Sequence, residues 1–73
     1  MMEIEKNYVP SSNIEAIGYD EESQTLRVWF LNGSIYDYSG VSIVEYNGLK
    51  DAPSLGSYLH RNIKGQYPYE KVG

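Results

Sequence analysis

Cysteine is missing from the chain, which removes disulfides and thiolate metal sites as sources of support. Histidine is nearly missing: His60 stands alone and cannot hold a metal by itself. No run approaches the ~18 apolar residues that a transmembrane helix needs. The opening Met1-Met2-Glu3-Ile4-Glu5-Lys6 is mixed and acidic, whereas a secretory signal opens basic and then turns apolar. We expect a cytoplasmic protein that makes no contact with membranes. Neither a Walker loop nor Gly-x-Gly-x-x-Gly occurs, so the usual phosphate-cradling loops are absent. No glycine-flanked serine suggests a nucleophile elbow. Asp20, Glu21 and Glu22 fall in a polar turn, where carboxylates are ordinarily just solvated. We expect no enzyme, no catalytic residue, no metal and no cofactor.

Positive charge is also scarce. Six Lys and Arg stand against ten Asp and Glu, for a net charge of −4. Affinity for a long polyanion rests mostly on Lys and Arg neutralising phosphates, so duplex DNA is excluded as the main partner. The charge is uneven, however. Residues 1–40 hold seven acids and two bases, or −5, and residues 41–73 hold three acids and four bases, or +1. A local basic patch fits within the acidic whole.

The chain is short as well. Its 73 residues make one domain, 1–73, with a thin core, because a chain this small buries only about 60% of its unfolded surface. With disulfides and thiolate metal sites excluded, oligomerisation is the remaining conventional support, and we expect a homo-oligomer. Tyrosine is plentiful, with eight copies beside one Trp and one Phe. Buried tyrosines need a partner for the hydroxyl, so several should lie at a surface, a site or an interface.

Residues 1–10 read as a leader or edge segment. Ile14 to Asp20 alternates loosely as a first strand, and Glu21–Gln24 connects it to Thr25–Leu31, the strongest strand signal. Asn32-Gly33 then suits a two-residue type I′ hairpin turn, and Ser34 to Tyr38 returns. Ser42 with Glu45 fits a capping box opening a short helix, roughly 43–49. Ser54 suits the cap of a second helix. Leu55, Tyr58, Leu59 and Ile63 form its apolar stripe, and Gly65 suits its C-terminal end. Residues 66–73 read as an irregular or extended tail. The expected fold is α+β: a three-stranded antiparallel meander followed by two short helices on one face.

A two-residue turn sets Trp29 opposite Tyr36 and Arg27 opposite Tyr38. Directly opposed residues share a face. One face then carries Leu26, Val28, Phe30 and Ile35 as the core side. The other carries Arg27, Trp29, Tyr36 and Tyr38, beside Ala16 and Gly18 from the first strand.

The chain resembles the KTSC domain family, small domains found at the C-terminus of some lysyl-tRNA synthetases and as stand-alone bacterial and phage proteins. The likeness runs through Val9, Ser11-Ser12, Ile17-Gly18-Tyr19-Asp20, Leu26, Val28, Phe30 and Gly33. It continues through Tyr36-Asp37-Tyr38, which matches a Tyr-x-Tyr motif. Val41, Tyr46, Leu49, Ala52, Ser54, Gly56, Tyr58, Ile63 and Tyr67 complete it. Ser42 departs from it, since the family tends to have proline there. The resemblance implies RNA binding from the synthetase context and implies no enzymatic activity.

Trp29, Tyr36 and Tyr38 with Arg27 are candidates for a stacking platform, since aromatic faces hold nucleobases with little sequence preference. The alternative is a face covered by a helix or a second subunit. His60, Arg61 and Lys64 lie opposite the apolar stripe and suit phosphate contacts, against the plainer reading of a solvated helix face. Ser11 and Ser12 suit an anion or a ribose, against a turn or strand cap. Together these residues suggest a non-enzymatic domain that binds a small nucleotide, such as a cyclic dinucleotide, or a short RNA. As an oligomer it would act by sequestering a signalling nucleotide. An RNA-binding module and a protein–protein adaptor are the alternatives.

Overall fold

The computed structural model describes residues 3–73. Met1 and Met2, the head of the 1–10 leader, lie outside the described residues. Five strands form one antiparallel meander in chain order: β1 (Asn7–Tyr8), β2 (Ile14–Asp20), β3 (Thr25–Phe30), β4 (Ile35–Tyr38) and β5 (Tyr69–Lys71). Helix α1 (Ile43–Lys50) follows β4. Helix α2 (Leu55–Tyr58) runs on as a π-helical segment, Leu59–Ile63.

The sheet therefore has five strands and not the three expected. The central three lie where their patterns put them. The two additions are short edges without an apolar period. They form because the outer backbone groups of β2 and β4 need partners. The amide of Val9 donates to the Glu15 carbonyl at 3.1 Å, that of Ser39 to Pro68 at 2.9 Å, and that of Ile35 to Gly73 at 3.1 Å.

The β2–β3 loop is the four-residue turn expected, with Asp20 paired to Thr25 and Gly18 to Arg27. A register shift between Ile14 and Ala16 is a bulge. It turns Ile14 onto the core face although Ala16 and Gly18 point the other way.

The β3–β4 turn corrects the expected register by one residue. The amide of Phe30 donates to the Ser34 carbonyl at 2.9 Å, and that of Gly33 donates back to Phe30 at 3.0 Å. The loop is thus three residues, Leu31 to Gly33. Gly33 has φ +94 while Asn32 has no positive φ, which fits a type I turn closed by a left-handed residue rather than type I′. Val28 now pairs with Tyr36, Leu26 with Tyr38, Arg27 with Asp37 and Trp29 with Ile35. Tyr36 and Tyr38 move to the core face, and Ile35 leaves it.

The core is one cluster that includes Ile17, Leu26, Val28 and Tyr38 of the sheet, Tyr46 and Leu49 of α1, and Leu59 and Ile63 from the π-helical segment. Both helices therefore cover the same face, as expected. Ser42 caps α1, its hydroxyl accepting from the Glu45 amide at 3.1 Å. Ser54 caps α2, accepting from Ser57 at 3.3 Å. Tyr19 and Tyr46 stack at 4.8 Å and fasten β2 to α1. On the opposite face, Ile4 and Glu5 of the leader lie against Gly18.

Candidate functional site

A cleft of about 610 Å³ opens between the Pro10–Asn13 turn and the start of α2. Ser11, Ser12 and Asn13 line one side, and Ser57, His60 and Arg61 line the other. Gly56 makes the close approach possible: a Cβ there would stand 2.9 Å from the Asn13 side-chain oxygen. Ser11 is also a turn residue. Its hydroxyl accepts from the Asn13 and Ile14 amides at 3.4 and 3.2 Å and donates to the Asn13 side chain at 3.2 Å. The strand-cap reading of Ser11 therefore holds, and its hydroxyl also lies in the cleft wall.

Arg61 is exposed, and among the described residues it makes no ion pair. His60 is exposed beside it. Both sit in the π-helical segment, whose widened turn is closed by the Lys64 amide donating to the Leu59 carbonyl at 2.8 Å. Single π-turns are rare and frequently occur at functional sites. A second cleft of about 510 Å³ shares Ser12 and Asn13 with the first and is walled by Phe30, Leu31, Asn32 and Lys64. The Lys64 ammonium stands 5.4 Å from the Phe30 ring centre, within cation–π range.

The nine predicted site residues therefore divide. Ser11, Ser12, His60 and Arg61, from distant stretches of chain, come together in one cleft, and Lys64 lines the adjoining one. The expected platform of Arg27, Trp29, Tyr36 and Tyr38 does not form, because the one-residue register change sends the two tyrosines to the helix side. Arg27 is committed to Asp37 through two hydrogen bonds of 2.7 and 2.8 Å. That bond, more than any other effect, raises the guanidinium pKa above its ordinary value. Lys6 lies 5.6 Å from the Trp29 ring centre and 3.4 Å from the Glu15 carboxylate.

Three further residues were not among the predicted ones: Phe30, which walls the second cleft, and Tyr69 and Lys71 of β5. Tyr36 shares a face with its β5 partner Lys71, and Tyr38 with Tyr69. Phe30 meets Tyr36 edge-on at 5.7 Å, and Tyr36 meets Tyr69 at 5.7 Å. The alternation Tyr67, Tyr69, Lys71 was the available signal.

Glu45 does not close the expected capping box. Its carboxylate accepts from the hydroxyls of Tyr58 and Tyr67 instead, tying α1 to α2 and to the segment before β5. The bond to Glu45, then burial, push Tyr58 from its ordinary 10.0 up to about 12. A folded pKa above the unfolded one means a contribution fully present below about pH 10 and lost as pH rises through about 12. Urea titrations across that window should show stability falling, with the fall blunted in Glu45→Gln. A fall of equal size in both proteins would show that the Glu45 carboxylate does not set it.

Among the described residues no three His, Asp or Glu gather where a metal ion could sit, and no helix is long and apolar enough to cross a membrane. An antiparallel five-stranded meander with two short helices on one face, notched where the second helix meets the β1–β2 turn, defines a class of small sheet-and-helix domains. The chain belongs to the KTSC domain family, whose model matches residues 10–67.

A crystal structure of a KTSC domain protein from Yersinia pestis superposes with a TM-score of 0.91 at 32% identity, covering 97% of this chain and all of that one. A lysine–tRNA ligase of a Nostoc species is 44% identical over 61 residues, 84% of this chain. A protein of Stutzerimonas stutzeri is 37% identical over 63 residues and is covered over 89% of its length. The chain spans only 11% of the length of the lysine–tRNA ligases it matches.

Proposed function

We propose that this domain is a non-enzymatic binder of a small nucleotide or short RNA, seated in the cleft between the Pro10–Asn13 turn and α2. Arg61 and His60 take the phosphate, and Ser12 with the neighbouring hydroxyls takes the ribose. The observation that carries the reading is the convergence of Ser11, Ser12, His60 and Arg61 in one cleft, with an arginine that makes no ion pair among the described residues. A guanidinium left open in this way suits bidentate phosphate contact. Its volume also falls within the ~300–1,000 Å³ typical of ligand sites. The relatives named as lysine–tRNA ligases lend support to an RNA-derived ligand. A domain of this kind acts in the cytoplasm by holding its ligand, and an oligomer would multiply that capacity.

Calorimetric titration of mononucleotides, cyclic dinucleotides and short single-stranded RNA tests the reading. Arg61→Ala should weaken binding about 10- to 150-fold, the worth of a charge-assisted hydrogen bond. Lys50→Ala, whose ammonium lies 5.7 Å from the Tyr46 ring centre and outside the cleft, should change nothing. If the folded protein binds none of these ligands, the nucleotide reading fails and the adaptor takes its place.

A further inference from the structure

We infer that the ligand is a single strand of more than one nucleotide, which leaves the cleft over Ser12 and Asn13 and lays its following bases along Phe30, Tyr36 and Tyr69 between Lys64 and Lys71. This rests on the nucleotide reading of the cleft and assigns a second site to it. The two clefts share Ser12 and Asn13 as a common wall, so a chain leaving Arg61 meets Lys64 next. Lys64 lies over Phe30 at 5.4 Å. From Phe30 the rings follow one another at 5.7 Å to Tyr36 and 5.7 Å to Tyr69. Tyr38, 3% exposed, lies 6.5 Å from Tyr36 and 6.0 Å from Tyr69 and serves as a buried floor. Tyr69 itself is 64% exposed and offers its ring to solvent. Phe30 and Tyr36 are half-buried against the core and Tyr69 stands out from them; aromatic rows flanked by cations are the standard platform for single strands, because every base offers a π face.

Charge sorts in the same sense. Lys71 shares the helix-side face with Tyr36, whereas Glu70 shares the opposite face with Asp37. On that opposite face Arg27 is paired with Asp37 and Glu3 and Glu5 lie close by. That face, where Lys6 and Arg27 are paired with Glu15 and Asp37, is the less favourable of the two for phosphates. An acidic protein thus presents three cations, Arg61, Lys64 and Lys71, along one path. A duplex would hide the base faces that the path is shaped to meet.

The test compares a uridine mononucleotide with oligouridylates of increasing length, on wild type, Tyr69→Ser, Lys71→Gln and Arg61→Ala. Affinity should rise with length. Tyr69→Ser should lower oligouridylate affinity about 5- to 150-fold, the worth of one stacked base, and leave the mononucleotide unchanged. Lys71→Gln, which spares the fold, should shrink the slope of log affinity on log salt by about 0.7 for the oligomer only. Equal affinity for mononucleotide and oligomer would overturn the inference while leaving the cleft standing. So would equal losses on both ligands in Tyr69→Ser. A length effect with affinities that Arg61→Ala leaves unchanged for both ligands would overturn the cleft and leave the aromatic path. Absence of all binding would overturn both.

Discussion

Ile17→Ala is expected to cost about 2–5 kcal/mol, the usual range for truncating a buried isoleucine. Ile17 is wholly buried in the core cluster. It sits at mid-sheet between Asn7 of β1 and Val28 of β3. At about 0.05–0.15 kcal/mol per residue, a chain of 73 residues holds only about 4–11 kcal/mol in all. A single truncation therefore removes a third or more of the total at mid-range. The melting temperature should fall by about 10–40 °C, since each kcal/mol moves a domain of this size by about 4–8 °C. Val44→Ala, at a helix position 76% exposed, should stay within about 0.5 kcal/mol of wild type. Thermal scans of the two proteins decide the matter. Equal melting temperatures would show that the core does not centre on β2.

The same thinness explains how much of the molecule was legible beforehand. β2 and β3 carry enough apolar and β-branched residues to declare themselves, and Ser42 and Ser54 cap their helices as their neighbours suggest. The β3–β4 register was misjudged although the deciding residue was visible. A two-residue loop sets Asp37 across from Val28, on the core face, where a lone carboxylate is costly. A three-residue loop sets it across from Arg27, where it pairs. The Asn-Gly pair drew attention to the turn, but the charge pattern settled its length. Glu45 was misread for a related reason. Its spacing from Ser42 suits a capping box, yet two tyrosine hydroxyls from later in the chain compete for the same carboxylate. Residues 1–10 and 66–73 read only as an edge or leader segment and an irregular or extended tail, because the pairing of β1 and β5 rests on the backbone groups of their neighbours. Ser11, Ser12, His60 and Arg61 could each be suspected of binding. That they face one another depends on Gly56 meeting Asn13, a contact between residues far apart in the chain.

Asp37→Ala should destabilise the fold by about 2 kcal/mol. Removing one partner of a fully buried pair costs roughly 3–5 kcal/mol, and the residual side-chain exposure of 22% for Arg27 and 13% for Asp37 reduces that through solvent screening. The loss comes from a guanidinium left three-quarters buried without its two charge-assisted bonds rather than from the worth of the pair itself. Replacing both partners separates the two effects. Arg27→Met with Asp37→Leu keeps the volume and removes both charges, so its stability should return to within about 1 kcal/mol of wild type. Glu70, opposite Asp37 on β5, is one substitute carboxylate, besides Glu3 and Glu5, which line a cleft with Arg27. Adding Glu70→Ala to Asp37→Ala should therefore deepen the loss. Urea denaturation of Arg27→Met, Asp37→Leu and the two combined completes a double-mutant cycle. A double variant as unstable as the sum of its singles would mean that Arg27 and Asp37 act independently. The corrected β3–β4 register, which rests on their facing each other, would then lose its energetic support.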